Sequence, residues 1–304
     1  MTPHREQEAG IVAGLTAYLV WGGLTIYWKH LTGFDAFELI AWRITTAAII
    51  MAVVLSVGRR WSHLVVLRNR AVLGRVALAA VLLTANWTAY VWAVVHGRVL
   101  ETALGYFIAP LVTVTLGVVV LHERMHRALW VALGFASAAV VVLAASYGTV
   151  PWISLVLAST WSFYGYLKKH ASLTPIESMA AETFLLLPIA LVVLLVLGAQ
   201  SDSIPATASG PEFALVLLSG LATVTPLTLF AYAAQRVPLT ILGPMQYIIP
   251  SINFVLGWLI YNEDLPASRF VGFGLVWIGL VVLTVDTVRR SRRTSVREPA
   301  VLAG

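Results

Sequence analysis

Ten apolar runs separated by short polar segments dominate the pattern of residues along the chain. Each run is close to the roughly 20 residues that an α-helix, rising about 1.5 Å per residue, needs to cross the hydrocarbon core of a bilayer. The pattern therefore predicts ten transmembrane helices in a lipid bilayer. They cover approximately residues 10–28, 36–57, 73–95, 102–121, 127–146, 150–167, 178–199, 211–234, 239–260 and 267–287.

A second regularity is that the first half of the chain is repeated in the second half. Residue types that are rare in so apolar a chain recur in the same order at one constant offset, which indicates an internal duplication. The offset is 140 residues for the pairs Trp21/Trp161, Lys29/Lys169, His30/His170, Pro110/Pro250, Gly117/Gly257 and Glu123/Glu263.

The duplication and the helix count together predict the fold. Each copy holds five helices, and because five is odd the second copy enters the membrane from the opposite side. We expect an all-α polytopic membrane protein with ten transmembrane helices as two inverted five-helix repeats, the plan of secondary transporters. The predicted parts are a cytoplasmic N-terminus at 1–9, repeats at 10–146 and 150–287, and a basic cytoplasmic tail at 288–304.

Composition agrees with this prediction. Of 304 residues, 59% are hydrophobic and 11% are charged, and the mean hydropathy is +0.86, whereas a soluble domain has roughly 25% charged residues. The lack of cysteine excludes disulfides and cysteine-ligated metals. His122 and His126 have an i, i+4 spacing without a third ligand, so we expect no metal site. The chain also has no Gly-rich phosphate loop, and we expect no cofactor.

The basic residues predict the orientation. With the N-terminus in the cytoplasm, most Lys and Arg residues fall on the inner side, as the positive-inside rule requires, and both termini are cytoplasmic. This placement explains the net charge of +6 without nucleic-acid binding, which we do not expect. The predicted location is the inner (cytoplasmic) membrane of the cell. The inner basic residues are Arg5, Arg59, Arg60, Arg68, Arg70, Arg75, Arg124, Arg127, Lys168, Lys169, Arg236 and the five arginines after Asp286.

One face of the fourth predicted helix carries polar and small residues that recur on the ninth. The spacing of i, i+4, i+7 and i+11 places each set on a single helix face. Close packing explains the glycines, and the prolines act either as hinges or as packing kinks. Polar side chains at this depth need partners or water, so they are candidate cavity residues. The two sets are Tyr106, Pro110, Thr113 and Gly117, and Gln246, Pro250, Asn253 and Gly257.

Aromatic residues cluster in the first, third and sixth predicted helices. Trp28 lies near a helix end, where an interfacial aromatic belt explains it. The deeper rings predict an amphipathic cavity suited to an organic solute or a cation. Asn86 joins this set, although a hydrogen bond between helices explains it equally well. The aromatic cavity candidates in these helices are Trp21, Trp87, Tyr90, Trp161 and Tyr164, of which the first four lie deeper.

Charged residues within the apolar runs need partners, because each costs roughly 2.5–3.5 kcal/mol or more at bilayer depth. Arg43 and Glu182 occupy equivalent places in the two copies. We expect Arg43 to pair with Glu101 on the outer side, and Glu182 to pair with Arg236 or Lys169 on the inner side. These clusters either gate the cavity alternately or only neutralise buried charge. If transport is coupled to protons, Glu182 or Glu101 is the expected proton site.

A set of short motifs is spread over both halves of the chain. They are Ala17-Tyr18, Trp21-Gly22, Tyr27-Trp28-Lys29, Arg43, Asn86-Trp87, Glu101, Leu104-Gly105-Tyr106-Phe107-Ile108, Pro110, Leu116-Gly117, Glu123-Arg124, Phe163-Tyr164-Gly165, Glu182, Leu187-Pro188, Pro226-Leu227, Gln246-Tyr247-Ile248, Pro250 and Glu263. In these residues the sequence resembles the RarD family of EamA-type transporters in the drug/metabolite transporter superfamily, over residues 10–288. The resemblance implies ten helices around a central cavity built from the first four helices of each half. The sequence departs from the family pattern at Thr25, Trp42 and Ala109.

The function that these patterns favour is secondary transport of a small organic solute, in the direction of export, by a monomer or a homodimer. A membrane-embedded enzyme acting on lipid is the alternative. It would require a cluster of acids or histidines at one membrane face, which the sequence does not indicate. An accessory membrane subunit is the third interpretation. We expect no enzymatic activity.

Overall fold

The computed structural model describes residues 3–31, 33–95, 99–145, 151–260, 270–282 and 285–286. All regular secondary structure in these ranges is helical. A 3₁₀-helix, Trp61–Arg68, joins α2 to α3. The α-helices are α1 (Pro3–Lys29), α2 (Ala36–Val57), α3 (Arg70–Val95), α4 (Val99–Thr115), α5 (Arg127–Ala145), α6 (Trp152–Lys169), α7 (Pro175–Leu197), α8 (Ile204–Thr207), α9 (Gly210–Arg236), α10 (Leu239–Met245), α11 (Ile248–Val255) and α12 (Phe270–Val282).

Each of the ten apolar runs coincides with helix in the described residues, which confirms the all-α fold class. Their outer surfaces are apolar, with exposed fractions of 81% for Val57, 77% for Leu195 and 66% for Val141. Five helical stretches are long and apolar enough to cross a membrane: Arg5–Lys29, Ala36–Val57, Arg70–Tyr90, Pro175–Leu197 and Gly210–Arg236. Shorter apolar helices cover Leu104–Val120, Arg127–Val142, Leu239–Val255 and Phe270–Val282.

Polar caps determine where α2 and α7 begin. The Asp35 side chain accepts a hydrogen bond of 2.9 Å from the backbone N–H of Glu38. At α7, Thr174 and Glu177 form a reciprocal capping box, and Pro175 occupies the first turn, where a missing N–H costs nothing. Both caps satisfy backbone donors that hydrocarbon would leave without partners.

Two π-helical segments end corresponding helices of the two copies. α4 continues into Leu116–Val120, and α11 continues into Leu256–Ile260, again 140 residues later. In the first copy, Gly117 makes the close packing possible, because a Cβ atom there would lie 2.7 Å from Oε2 of Glu123. Single π-helical turns are rare and often mark functional regions.

The ninth apolar run is broken between α10 and α11, whereas the corresponding α4 is continuous. Pro244 and Pro250 lie on either side of the break. Neither proline can donate the backbone hydrogen bond that a continuous helix requires. Tighter i to i−3 bonds replace the helical ones, such as that from Tyr247 N to Pro244 O at 3.2 Å. The first copy has Leu104 in place of Pro244, so it has one internal proline, Pro110, and no break.

The helices of the two copies pack against each other around a central aromatic layer. α1 contacts α9 and α11, α6 contacts α3 and α4, α2 contacts α7, and α4 contacts α10. In the layer itself, the Trp161 ring lies 5.2 Å from that of Trp21 and 4.9 Å from that of Phe230. Tyr164 stacks on Phe230 at 6.0 Å. This layer forms the floor of the cavity described next.

Candidate functional site

A cavity of about 200 Å³ lies between helices of both copies. One buried water needs roughly 10–15 Å³ of such space, so the cavity has room for an organic solute. Its wall combines indole and phenol rings with amides, one guanidinium and a few aliphatic side chains. The lining residues are Trp21, Leu24, Thr25, Trp28, Arg43, Asn86, Trp87, Tyr90, Tyr106, Trp161, Leu227, Gln246, Ile249 and Asn253.

Eight of the ten residues that the sequence singles out for a cavity lie together on this wall. They come from α1, α3, α4, α6 and the region of α10 and α11, so both copies contribute. The rings supply flat apolar faces and the amides supply hydrogen-bonding groups. The eight are Trp21, Asn86, Trp87, Tyr90, Tyr106, Trp161, Gln246 and Asn253.

Two predicted cavity residues, Thr113 and Tyr164, are not among the residues that line this cavity, which differs from the prediction. Thr113 is 2% exposed. Its hydroxyl donates to Ser162 Oγ at 3.0 Å and accepts from Gln246 Nε2 at 3.0 Å. Tyr164 is fully buried and stacks on Phe230. A helix face continues past the end of a cavity, so the spacing alone does not show where the lining stops.

The amide groups of the wall also connect helices. Nδ2 of Asn86 donates to the carbonyl of Leu157 at 3.0 Å and to Thr160 Oγ1 at 2.9 Å. Thr25 Oγ1 donates to Oδ1 of Asn253 at 2.6 Å, which joins α1 to α11. Asn86 therefore fits both interpretations that its sequence position left open, since it lines the cavity and bonds α6.

Arg43 brings a positive charge into the wall. Its Nε donates to Thr223 Oγ1. The guanidinium carbon lies 4.3 Å from the ring centre of Trp87 and 5.2 Å from that of Trp28, within cation–π range. Trp28 therefore belongs to the cavity rather than only to an interfacial belt, and its spacing of seven residues from Trp21 is the signal that could have found it. The side chain of Glu101, the predicted partner, lies outside the described residues.

Glu182 pairs with Lys168, so the predicted pairing with Lys169 or Arg236 is wrong. Lys168 Nζ contacts Oε1 of Glu182, and both side chains are 1% exposed. Ser178 and Tyr164 complete a buried network: Lys168 Nζ donates to Ser178 Oγ at 2.8 Å, and the Tyr164 hydroxyl donates to Glu182 Oε2 at 3.1 Å. Helical phase explains the difference.

Lys168 follows Tyr164 by four residues and shares its inward face, whereas the next residue is rotated by about 100°. Lys169 Nζ accordingly donates to the carbonyl of Val237 at 2.9 Å and lies 3.6 Å from Oε1 of Glu123. The guanidinium carbon of Arg236 lies 3.6 Å from the ring centre of Tyr232 on its own helix.

Three glutamates outside the predicted site join connecting segments at the ends of the bundle. Glu123 accepts hydrogen bonds from the first two backbone N–H groups of α10, at 3.0 and 2.8 Å. Glu38 accepts from the backbone N–H of Ile204 at 3.1 and 3.0 Å, and Glu177 lies 2.5 Å from Nδ1 of His63. Carboxylates at helix N-termini are favourable because they satisfy free donors and oppose the helix dipole.

The helical architecture and its apolar outer surface define a polytopic membrane protein. The EamA-like transporter family model matches residues 8–145 and again 150–285. The chain therefore belongs to the EamA-like transporter family, with two copies of the family domain.

Similar proteins agree with this membership. Protein RarD of Streptomyces exfoliatus is 43% identical, covering 100% of this chain and 98% of that protein. An uncharacterised transporter, YojE, of Bacillus subtilis is 37% identical over 95% of this chain and 98% of that protein. Protein RarD of Escherichia coli is 34% identical over 96% and 99%. A protein of known crystal structure shares the fold with a TM-score of 0.70 at 19% identity, covering 93% of this chain and 98% of that one.

Proposed function

We propose that the chain is a secondary transporter that moves a small organic solute across the cytoplasmic membrane by alternating access, in the direction of export. The cavity carries this proposal, because polar and aromatic side chains from both copies surround about 200 Å³ at the centre of an apolar bundle. Polar groups at bilayer depth are costly and are typical of solute pathways. Secondary transporters hold their solutes at the junction between two repeats.

Contacts between the copies support ten transmembrane helices in two inverted repeats. The contact between α1 and α9 corresponds to the contact between α6 and α3. In the same way, the contact between α4 and α6 corresponds to the contact between α11 and α1. Exchanging the first copy for the second converts each contact into its counterpart, as a twofold relation requires. We assign the repeats to residues 10–146 and 150–287, flanked by a cytoplasmic N-terminus at 1–9 and a basic tail at 288–304.

The structure is consistent with a state that is closed toward the cytoplasm. If both termini are cytoplasmic, Trp28 and Tyr90 of the cavity wall lie toward the outer ends of their helices. Lys168 and Glu123 then lie near the inner ends of theirs. The buried aromatic layer and the Lys168–Glu182 network separate the cavity from that inner side.

The two charged clusters are our candidates for the gates. Arg43 with Thr223 lies at the cavity wall, and Lys168 with Glu182 lies beneath the floor. Opening the inner side requires the second cluster to separate or to admit water. Protonation of Glu182 would weaken its attraction to Lys168, which makes Glu182 a site for proton coupling, with Glu101 the candidate on the outer side. Pro110 and Pro250 are the candidate hinges.

Flux through purified protein in sealed vesicles tests the proposal. We expect protein-dependent movement of at least one solute in a broad panel of small organic compounds. Replacing Trp21 by alanine should lower that flux by about tenfold through lost solute contact, equivalent to about 1.4 kcal/mol. Trp130→Ala is the matched control, since Trp130 is 55% exposed on α5 and outside the cavity. No flux for any solute, or an equal loss in both variants, would contradict the proposal.

A further inference from the structure

We infer that the solute of this cavity is a small organic monoanion: a carboxylate attached to a flat apolar body, with Arg43 binding the carboxylate. The inference rests on the transport function proposed above, because it names the solute class of the same cavity. It comes from the charge balance of the wall, the geometry around the guanidinium and the nature of the remaining surface.

The charge balance of the wall favours an anion. Among the described residues that line the cavity, Arg43 is the one charged side chain, and the other polar groups are hydroxyls, amides and indoles. Arginine stays protonated in proteins, so the wall keeps one positive charge at any physiological pH. A buried charge at bilayer depth requires a counter-charge or water. A bound monoanion supplies the counter-charge directly.

The surroundings of the guanidinium disfavour a cation, although aromatic cages often bind cations. The two indole rings nearest to Arg43, those of Trp87 and Trp28, already have its guanidinium at 4.3 and 5.2 Å. The protein's own cation therefore occupies these aromatic faces. A cationic solute would also be repelled by the same charge.

The N–H donors of the Arg43 guanidinium are arranged to bind a carboxylate. Nε is engaged by Thr223 Oγ1, and this hydroxyl donates in turn to the carbonyl of Ser219 at 2.8 Å. These bonds fix the plane of the guanidinium, and among the described residues none accepts a hydrogen bond from its two terminal nitrogens, which remain as donors. Paired N–H groups in one plane match the two oxygens of a carboxylate.

The rest of the wall is suited to a flat apolar body. Trp21 and Trp161 meet edge to face at 5.2 Å between ring centres, and Leu24, Leu227 and Ile249 lie on the same wall. Aromatic and aliphatic surfaces of this kind bind rings and short apolar chains. An anion without such a body, for example acetate, would leave this surface in contact with water.

Binding of four simple probes to the purified full-length protein, measured by titration calorimetry, tests the inference. 3-Phenylpropionate, 3-phenylpropanamide and 3-phenylpropylammonium share one body and differ in the charge of the head group, and acetate has the charge without the body. We expect 3-phenylpropionate to bind about tenfold or more tightly than the amide, and the ammonium and acetate to bind more weakly than either.

Variants separate the role of Arg43 from a loss of folding. Arg43→Gln should remove the preference for the carboxylate over the amide while keeping affinity for the amide, which itself demonstrates a folded cavity. Arg43→Lys should retain part of the preference, and Arg70→Gln, which removes an exposed charge, should retain all of it.

Three results would overturn the inference: the ammonium binding as tightly as the carboxylate, an unchanged preference in Arg43→Gln, or no binding of 3-phenylpropionate at millimolar concentration. Flux measurements distinguish a failure of this solute-class inference from a failure of the proposed transport function. Flux of cationic or neutral solutes that is independent of Arg43 would leave a transporter with a different solute class. Carboxylate-selective binding without flux of any solute would keep the binding site and reject transport.

Discussion

The ion pair between Lys168 and Glu182 lies deep in the bundle, where each side chain is 1% exposed and the surrounding dielectric is low. Ser178 hydrogen-bonds to both groups and the Tyr164 hydroxyl donates to Glu182, so the charges are both paired and solvated by protein. Such a pair contributes little net stability, yet loss of one partner leaves a buried charge without compensation.

Each single replacement in this pair should therefore destabilise the protein more than the double replacement does. We expect Lys168→Met and Glu182→Gln each to lower the free energy of unfolding by about 3–5 kcal/mol, and the double variant to recover most of that loss. Equilibrium unfolding in mixed micelles measures these free energies. Lys169→Met is the control, and its partly exposed pair should be worth no more than about 1 kcal/mol. Additive losses in the double variant would contradict the coupling.

At this scale the sequence predicted which residue types lie inside but not their partners. The expectation that Glu182 needs a cation was right, and the choice of Lys169 was wrong because α6 directs only Lys168 inward. Thr223 could not be predicted as a partner of Arg43, because serine and threonine recur throughout the helices and their spacing carries no pairing information.

At the scale of helices, close approach between α2 and α9 depends on Gly220. A Cβ atom at this position would lie 2.5 Å from the backbone nitrogen of Ala47 and 2.5 Å from the carbonyl carbon of Thr46. Backbone atoms cannot move aside as a side chain can, so the two helices would have to separate. Small residues let membrane helices approach in this way.

Gly220→Ala should lower the free energy of unfolding by about 1–3 kcal/mol through overpacking. Gly23→Ala is the matched control, because nothing lies within 4 Å of its added Cβ. There the substitution should be neutral or stabilising by up to about 1 kcal/mol, the difference in helix propensity. Thermal unfolding in detergent measures both, and equal effects would exclude the packing explanation.

The sequence predicted the extent of the helices well, because hydropathy reports directly on contact with lipid. It did not predict the π-helical segments or the break between α10 and α11. The break depends on Pro244, which has no proline counterpart in the first copy, and the comparison of the copies emphasised what they share. Duplicated sequences thus predict common architecture better than local differences.

At the scale of the whole molecule, a variant that stays stable but lacks the Glu182 carboxyl group tests whether transport is coupled to protons. Lys168→Met/Glu182→Gln should be nearly as stable as the wild type yet unable to bind or release a proton at this site. We expect flux driven by a pH gradient to fall to the level of passive exchange in this variant, while exchange without a gradient persists. Unchanged gradient-driven flux would exclude Glu182 as the proton site.

The cavity wall also allows a direct test of alternating access, because the chain has no cysteine and any introduced thiol is unique. A single cysteine at Ile249, on the wall, can be probed in oriented vesicles with a maleimide too large to cross the membrane. Cysteines at Gly33 and Ser62, in opposite predicted loops, serve as controls for sidedness. Each should react from one side only.

Labelling of the Ile249→Cys variant from each side in turn is the most direct measurement of the central claim. We predict that the reagent modifies this thiol from the outside and, in a separate experiment, from the inside, and that transported solute slows both reactions. Modification from one side only under all conditions, with the loop controls behaving as expected, would contradict alternating access through this cavity.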